Sequence, residues 1–386
     1  MGGAVDGEPT LKWRYRFRFT MGRREFVVNQ FIAKGHFGEC YFAESDDSEA
    51  KVKVVLKSFL GAQKLQHEPG GRGWTSELAN LRAIPREALT HRNILTVLHV
   101  GDGPMRPSCH GFLLLEACSN GELLSYLRGA FSERMVRHFV RDLLRAVAHM
   151  HAHCVVHRDL KAENILIDSR GRLLVADFGT CKFFRDASRA VPPPTAVIAG
   201  AGPPPMPMPM PAPTDDEGAP QWARTTTEAG TPAFKSPQMR REREYDADKL
   251  DTFGVAVIAF ILLHNELPFG MPRASGGVGV SHALLSQFGD GDESNPRFWT
   301  KFREKLSASK ATYPTYYPHA TLSADTERFL NRSMRMDAAR VPAAAELLRD
   351  PWLEGADDAE RYPTAAVYIN DLTRRKPGTL IDAVAE

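Results

Sequence analysis

The sequence predicts an α+β fold in which a small β-rich part is followed by a larger, mainly helical part. Runs of β-branched and aromatic residues, "EFVVNQFIA", "ECYFA" and "KVKVVLKSF", occupy residues 25–59 and are separated by Gly or acidic turns, which is typical of short strands. One segment, "WTSELANLRAI" (74–84), has helical spacing and stops at Pro85. Beyond Ser132, which can cap a helix, apolar residues recur at three- and four-residue steps. The chain therefore begins with strands around one helix and continues as a helical part.

The composition is that of a globular protein. Of the 386 residues, 43% are hydrophobic and 25% are charged, so the chain can bury a substantial core. The formal net charge of +2 gives no reason to expect a nucleic-acid partner. The five cysteines have no paired spacing that predicts disulfides. No apolar run approaches the roughly 20 residues that span a bilayer. We expect a soluble intracellular protein, cytoplasmic or nuclear, without a membrane span.

Residues 1–24 form an N-terminal extension that contains the stretch "KWRYRFRF" (12–19). Basic and aromatic residues alternate strictly in this stretch, and a strand of period 2 would place them on opposite faces. One interpretation is an edge strand packed by its aromatic side chains. The other is a docking segment for an anionic surface.

Residues 188–220 differ from the rest of the chain because Pro, Gly, Ala and Met dominate them. This composition predicts a disordered, partly polyproline-II excursion. It can serve as a spacer, or as a ligand for a Pro-recognition domain. Residues 354–386 are a C-terminal tail without an assigned role.

The stretch "HMHAHC" (149–154) concentrates histidines at the end of the predicted long helix. The helical period places His151 on the apolar face and His149 and His153 on the opposite, solvated face. Two histidines four residues apart can hold a metal, but no further ligand with suitable spacing follows. The pattern therefore favours ordinary helix histidines over a zinc site.

Two adjacent motifs carry a family resemblance. The stretch "VVHRDLKAENILI" (155–167) reads as an apolar pair, a polar loop and a strand, and "GRLLVADFG" (171–179) completes a hairpin. Together they resemble the catalytic loop and the metal-binding turn of eukaryotic protein kinases, and most of residues 25–353 resembles that family. The resemblance implies the two-lobed protein kinase fold, with an ATP-binding N-lobe to hinge (25–118) and a C-lobe (119–353) interrupted at about 188–220.

The resemblance also implies the cofactors, ATP and Mg²⁺, and a catalytic set. Asp159 matches the residue that orients the substrate hydroxyl and accepts its proton, and Lys161 is typical of serine/threonine kinases. Asn164 and Asp177 match the two Mg²⁺ ligands, whose hard oxygens suit that ion. The implied partners are proteins with Ser or Thr hydroxyls.

The stretch "AKGHFGEC" (33–40) resembles the Gly-rich loop that covers the ATP phosphates. Its candidate nucleotide-binding residues are Ala33, Lys34, Gly35, His36, Phe37, Gly38 and Cys40. Ala33 replaces the first glycine, which is tolerable where φ is negative. Lys57 matches the α/β-phosphate lysine, and we prefer Glu77 over Glu87 as its partner because an apolar stripe and Pro85 define the helix of Glu77.

The stretch "LLLEACSNGELLSYL" (113–127) resembles the hinge, with Leu115 as gatekeeper. The resemblance implies that backbone groups of Glu116 and Cys118 face adenine and that Glu122 contacts ribose or a substrate arginine. Glu163 matches a second acid that contacts basic residues in some kinases. Two carboxylates near the peptide site predict a preference for Arg or Lys upstream of the target residue.

The stretch "TTTEAGTPAFKSPQM" (225–239) resembles the end of an activation segment. Thr227 matches the usual activating phosphosite, where a phosphate could pair with Arg158, and Thr225 and Thr226 are alternates. Ordinary turn threonines are the other interpretation. The resemblance places Thr231 near the catalytic aspartate.

Three positions depart from the kinase pattern. Ala33 and Ala256 replace glycines, and Gln238 replaces a glutamate whose expected partner is Arg340. We expect Gln238 to keep a hydrogen bond to Arg340 without its charge-assisted part. Asp251 is the expected tether of the catalytic-loop backbone. The departures leave a pseudokinase-like scaffold as the alternative to an active enzyme, but the charged set needed for transfer is intact.

Overall fold

The structure is a computed structural model. It describes residues 18–21, 23–34, 38–46, 51–60, 74–102, 109–127, 130–184, 223–226, 230, 234, 236, 238–239, 244–265, 268, 322–335 and 338–354. The predictions for residues 12–17, 35–37, 188–220, Thr227, Thr231 and the tail beyond Glu354 lie outside the described residues. The chain divides into one unit of Met1–Ala83 with Leu95–Ala117, and a second of Ile84–Ile94 with Cys118–Glu386.

In its described residues, the first unit contains a six-stranded antiparallel sheet and one helix. In chain order the elements are β1 (Arg18–Met21), β2 (Arg24–Lys34), β3 (Gly38–Ser45), β4 (Lys53–Leu60), α1 (Trp74–Ala83), β5 (Val97–Asp102) and β6 (Cys109–Glu116). The sheet order is β1-β2-β3-β4-β6-β5. This is the predicted arrangement of strands around one helix.

The edge strand β1 packs through its aromatic face. Phe19 is buried and stacks on Phe26 with ring centroids 5.2 Å apart. Arg18 is exposed, and its guanidinium lies 2.8 Å from Asp46 and 3.2 Å from Glu25. In the described part of the alternating stretch, the aromatic residue therefore joins the core and the basic residue faces solvent.

The second unit is mainly helical. Its longer elements are α2 (Glu133–Ala152), α3 (Ala247–His264), α4 (Ala324–Ser333) and α5 (Ala344–Leu347). Its short strands are β7 (Val155–Val156), β8 (Ile165–Ile167), β9 (Leu173–Val175), β10 (Lys182–Phe183), β11 (Arg224–Thr225) and β12 (Tyr245–Asp246), and they pair as β7 with β10, β8 with β9 and β11 with β12.

Two helices form the centre of the second unit. The Ser132 hydroxyl accepts the Met135 N–H at the start of α2, so the predicted N-cap is confirmed. Nearly every residue of α3 is buried, and this helix ends at Asn265, whose φ is 54°. Although α3 is apolar, no helix in the described part of the chain meets the length and hydropathy needed to cross a membrane.

The segment Ile84–Ile94 belongs to the second unit, although the sequence placed it in the N-lobe. Asn93 donates from its side chain to the Leu173 carbonyl oxygen (3.0 Å) and accepts the Val175 N–H at its own carbonyl (2.9 Å). Ile94 forms a bridge with Val175. These contacts with the backbone of β9 fix the segment in that unit.

Candidate active site

The loop between β7 and β8 is held in one conformation by a buried carboxylate of α3. Arg158 has φ of 68°, a left-handed conformation that costs a non-glycine residue about 1–3 kcal/mol. Asp251 accepts the backbone N–H of His157 (2.8 Å) and that of Arg158 (2.7 Å). His151 Nε2 lies 3.0 Å from the same carboxylate. Asp251 thus makes the backbone contacts of the expected tether and offsets the strain at Arg158.

The His157 ring connects this loop to the end of β9. Its Nε2–H donates to the Ala176 carbonyl oxygen (3.0 Å), and its Nδ1 accepts the Asp159 N–H (3.3 Å). The two bonds together define a neutral ring protonated at Nε2. The ring also meets Phe178 edge-on, with centroids 6.0 Å apart. The backbone positions of Asp159 and of the turn at Asp177 are therefore coupled through one side chain.

Two polar side chains of the loop contact the Asp159 carboxylate. Lys161 Nζ lies 3.2 Å from Asp159 Oδ2. The Asn164 amide, at the end of a 3₁₀ turn (Ala162–Asn164), donates to the Asp159 carbonyl oxygen (2.8 Å) and to Oδ2 (3.2 Å). Two donors thus fix the direction of the carboxylate.

The charges around Lys161 and Glu163 shift the pKa of both groups. Burial lowers the pKa of Lys161, but the attraction of Asp159, Glu163 and Asp177 outweighs burial and leaves the pKa raised, so the ammonium stays charged. Burial raises the pKa of Glu163, and the repulsion of Asp159 and Glu122 adds to it, while Lys161 opposes the shift. Glu163 Oε2 is buried without a hydrogen-bond partner. A cation or a hydrogen-bond donor that binds this oxygen would offset the cost of burying it.

Asp177 occupies the turn after β9 and is exposed. Its φ is 63°, and its Oδ1 accepts the Gly179 N–H at 3.2 Å. Since the Asn164 nitrogen donates to Asp159, the Asn164 oxygen is the atom able to ligate a cation. An amide oxygen and a carboxylate form a donor set that fits Mg²⁺, which retains water and binds phosphate oxygens. Among the described residues, no three His, Cys, Asp or Glu side chains are grouped to hold a metal.

In the first unit, Lys57 on β4 pairs with Glu77 on α1. Lys57 Nζ lies 2.9 Å from Glu77 Oε1 and 2.8 Å from Oε2, and Glu77 is only 5% exposed. Glu87 is exposed on a 3₁₀ turn of the second unit, and its carbonyl oxygen bonds His149. The ion pair therefore involves the glutamate that the apolar stripe favoured.

The described ends of the Gly-rich stretch are strand residues. Ala33 is exposed in β2 opposite Cys40, and its φ is not in the left-handed region, so an alanine fits there. Lys34 Nζ lies 3.8 Å from Glu39. A β-carbon added to Gly38 would lie 2.2 Å from the Ser58 carbonyl oxygen, so this position requires glycine.

The expected hinge residues occupy the end of β6 and the chain that follows. Glu116 donates its N–H to the Thr96 carbonyl oxygen (3.0 Å), and its Oε1 accepts the Thr96 N–H (2.7 Å). Leu115 lies opposite Val97 in β5. In the second unit, Cys118 is buried and its carbonyl oxygen accepts the Gly121 N–H (3.4 Å), while Glu122 is exposed.

The two described threonines of the predicted phosphosite group differ in access. Thr225 is 4% exposed in β11, and its hydroxyl accepts from Lys182 Nζ (2.8 Å). Thr226 is exposed. Burial lowers the pKa of Lys182, and the positive charge of Arg158 lowers it further. Sequence reasoning missed Lys182, although a basic residue on the strand that follows the Asp177 turn was an available signal.

The described contacts of the Gln238 amide are with Asp246, whereas the expectation was a hydrogen bond to Arg340. Gln238 is buried, and its Nε2 donates to Asp246 Oδ2 (3.0 Å) while its Oε1 accepts the Asp246 N–H (3.1 Å). Arg340, the expected partner, is exposed in a 3₁₀ turn. Asp246 lies in β12, close in the chain to Gln238, and it uses both ends of the amide.

The expectation that His149 faces solvent was wrong. Its ring is half-buried, its Nε2–H donates to the Glu87 carbonyl oxygen (2.9 Å), and it stacks on His91 with centroids 4.8 Å apart. His153 Nδ1–H donates to the His149 carbonyl oxygen (2.8 Å). Burial lowers the pKa of His91 to about 4, and the charges of His149, Arg92 and Arg145 contribute to the shift. These histidines pack the segment Ile84–Ile94 onto α2.

Comparison with known proteins gives a match to the protein kinase domain over residues 26–353. The chain is 25% identical to CBL-interacting protein kinase 16 of Oryza sativa subsp. japonica, covering 87% of this chain and 58% of that protein. It is 21% identical to the Probable serine/threonine-protein kinase MARK-A of Dictyostelium discoideum (85% of this chain, 24% of that protein). It is 26% identical to human NUAK family SNF1-like kinase 2 (67% and 32%). The chain therefore spans less than two thirds of each of these relatives.

Proposed function

The chain belongs to the protein kinase family, and we propose that it is a serine/threonine kinase that transfers the γ-phosphate of ATP to hydroxyls of protein substrates. The observation that carries this proposal is the contact of Lys161 Nζ and the Asn164 amide with Asp159 Oδ2, each at 3.2 Å. The position of Lys161 supports the serine/threonine type, as do the names of the relatives. Phosphoryl transfer depends mainly on positioning and charge neutralisation, which this arrangement suits.

In this proposal, the loop residues position the substrate hydroxyl and manage its proton. Asp159 accepts a hydrogen bond from the hydroxyl and takes the proton as the oxygen attacks phosphorus. Asn164 and Lys161 hold the carboxylate in direction. Lys161 remains an ammonium because three carboxylates surround it, so it can also neutralise charge on the transferred group.

The remaining residues of the set would bind the nucleotide and its metal. Asn164 and Asp177 would hold Mg²⁺ through oxygen atoms, and Lys57, oriented by Glu77, would hold the α- and β-phosphates. Bound Mg²⁺ neutralises phosphate oxygens during transfer. Gly38 fits the same role, since only a residue without a side chain lies this close to the β4 backbone.

The test is phosphate incorporation from ATP and Mg²⁺ into the protein itself and into a basic Ser/Thr peptide, comparing wild type with Asp159→Asn. Transfer by wild type that disappears in the variant supports the proposal. Equal silence of both proteins, with no rise in melting temperature on adding ATP, would favour the scaffold alternative, in which residues 188–220 bind a Pro-recognition domain. If neither protein transfers phosphate but ATP raises the melting temperature of both, the protein is either an enzyme that awaits an activator or a nucleotide-binding scaffold.

We further propose that the enzyme prefers Arg or Lys upstream of its target residue. Glu163 Oε2 is buried without a hydrogen-bond partner, and the repulsion of Glu122 adds to the cost of its charge. A guanidinium or ammonium group would supply the missing donor and offset that cost. A positional peptide library should show enrichment for basic residues that weakens in Glu163→Gln, and equal rates with and without upstream Arg in wild type would reject the preference.

Activation by phosphorylation is the regulatory part of the proposal. Thr227 is the first candidate and the exposed Thr226 is the second, whereas the buried Thr225 would have to leave β11 to be modified. Arg158 and Lys182 are cations that could pair with a phosphate added nearby. Mapping of the phosphothreonine after autophosphorylation, with Thr227→Ala and Thr226→Ala as controls, identifies the site; full activity in the double variant would reject it.

A further inference from the structure

The feature that carries a further inference is the pairing of Gln238 with Asp246 at the start of α3. The Gln238 amide donates to Asp246 Oδ2 (3.0 Å) and accepts the Asp246 N–H (3.1 Å). Gln238 is 8% exposed and Asp246 is 7% exposed. The N–H group and the oxygen of this buried amide both have hydrogen-bond partners. Such a pair is sensitive to any substitution that replaces the donor with an acceptor.

The pair connects three parts of the second unit. Asp246 faces Arg224 in the β11–β12 pair, and its Oδ1 lies 3.8 Å from Arg224 Nε. Met239, next to Gln238, packs with Tyr245 in a buried cluster of Cys154, Val156, Ala223, Ala247 and Leu250. Asp246 directly precedes α3, the helix whose Asp251 holds the catalytic-loop backbone. Gln238 therefore attaches the end of the activation segment to the element that fixes the loop.

The carboxylates near Gln238 favour a neutral side chain at this position. Asp246, Asp248 and Asp251 place three buried carboxylates at the start of α3. Burial raises the pKa of Asp248, the positive charges of His151 and Lys249 oppose the shift, and the charges of Asp246 and Asp251 add to it. A glutamate at position 238 would set a second carboxylate at the 3.0 Å distance of the Gln238–Asp246 bond.

Gly230, which precedes Gln238 in the chain, lies directly on the catalytic loop. Gly230 has φ of 86°, and a β-carbon added there would be 2.3 Å from the Arg158 carbonyl oxygen and 3.6 Å from Asp159 Oδ1. Phe234 is 3% exposed. Displacement of the Gln238 end would therefore be transmitted to the backbone around the catalytic aspartate.

We propose that Gln238 is a positioning residue matched to Asp246, and that the pair holds the activation segment against the catalytic loop. Glutamate at this position, the residue that kinases usually carry, impairs this protein because the partner here is a carboxylate. The kinetic part of the inference rests on the proposed kinase function. The pairing itself does not, and it can be tested through stability.

The experiment compares wild type, Gln238→Glu, Asp246→Asn and the double variant, with Gln30→Glu on β2 as a control for the charge change. Gln238→Glu is expected to lower kcat/KM for a peptide by at least about tenfold while KM for ATP stays within about twofold, because the substitution leaves every residue of the proposed nucleotide-binding set unchanged. Asp246→Asn is expected to be mild, since asparagine still offers an oxygen to Gln238. The double variant exchanges amide and carboxylate, so it should recover to within about threefold of wild type.

Melting temperatures of the same proteins separate this inference from the proposed function. If wild type transfers no phosphate, the proposed function fails, and recovery of the melting temperature in the double variant relative to Gln238→Glu still supports the pair. Gln238→Glu that matches or exceeds wild type in stability overturns the inference. The inference is also overturned if the melting temperature of the double variant is no higher than the value expected from adding the changes of the two single variants.

Discussion

Asp251→Asn is the substitution that most directly tests how the fold holds the catalytic loop. The carboxylate is 1% exposed and accepts two backbone N–H groups, at 2.8 Å from His157 and 2.7 Å from Arg158. The asparagine side chain keeps one oxygen that can accept a backbone N–H. Its NH₂ group replaces the other oxygen and faces a backbone N–H that then has no acceptor. The φ of 68° at Arg158 then loses part of its support.

The magnitude follows from these two bonds. A hydrogen bond to a charged group contributes about 1.5–3 kcal/mol, and a buried donor left without an acceptor costs about 1–3 kcal/mol. One bond is lost and the other is weakened, so we expect a cost of about 3 kcal/mol in holding the loop, equivalent to about 100-fold in kcat. The pairing between Lys57 and Glu77 belongs to the other unit, so KM for ATP should change much less.

The assay is steady-state phosphorylation of a peptide with ATP varied, together with melting temperatures. Asp248→Asn is the matched control, because Asp248 is also buried on α3 and its substitution is the same chemical change three residues earlier in the helix. Burial raises the pKa of Asp248, so its ionisation is a cost that asparagine removes, and stability should stay constant or rise at neutral pH. A kcat for Asp251→Asn within about threefold of wild type, with unchanged stability, would refute the reasoning.

Three further predictions test other parts of the structure. Glu77→Gln should lower kcat/KM at least about tenfold, because Lys57 loses its charged partner, while Glu87→Gln should have little effect; peptide kinetics decide, and the reverse order contradicts the pairing. Gly38→Ala should raise KM for ATP and lower the melting temperature, because its β-carbon would lie 2.2 Å from a backbone oxygen of β4, and wild-type values for both would refute this. The folded-state pKa of His91 is about 4, below its unfolded value of 6.5, so its contribution to stability is complete above pH 6.5 and should be lost as pH drops towards 4. Urea unfolding at several pH values should show that the free energy of unfolding falls less steeply with decreasing pH in His91→Gln than in wild type. An equal dependence on pH in the two proteins would contradict this prediction.

Much of the candidate site could be predicted from sequence because it is local in the chain. Asp159, Lys161 and Asn164 lie within six residues, so the conformation of one loop is enough to bring them together. The N-cap at Ser132 likewise depends on contacts within one helical turn. Such features follow from short-range hydrogen bonding and periodicity, which adjacent residues largely specify.

Other features depend on which distant segments meet. Gln238 pairs with Asp246, which lies in a strand that is held by the distant residues Arg224–Thr225 of β11. His149 lies on the helix face that sequence assigned to solvent, yet it packs on His91 because backbone bonds from β9 hold that segment against α2.

The sequence by itself determined the α+β class, the spacing of the charged set and the residue types able to perform phosphoryl transfer. The tertiary structure decided that Lys57 meets Glu77, that Asp251 supports the strained Arg158, and that Thr225 is buried. The physical reason is that these contacts join segments far apart in the chain. Local propensity contains no information on such long-range contacts, which form only when all the buried faces of a unit pack together.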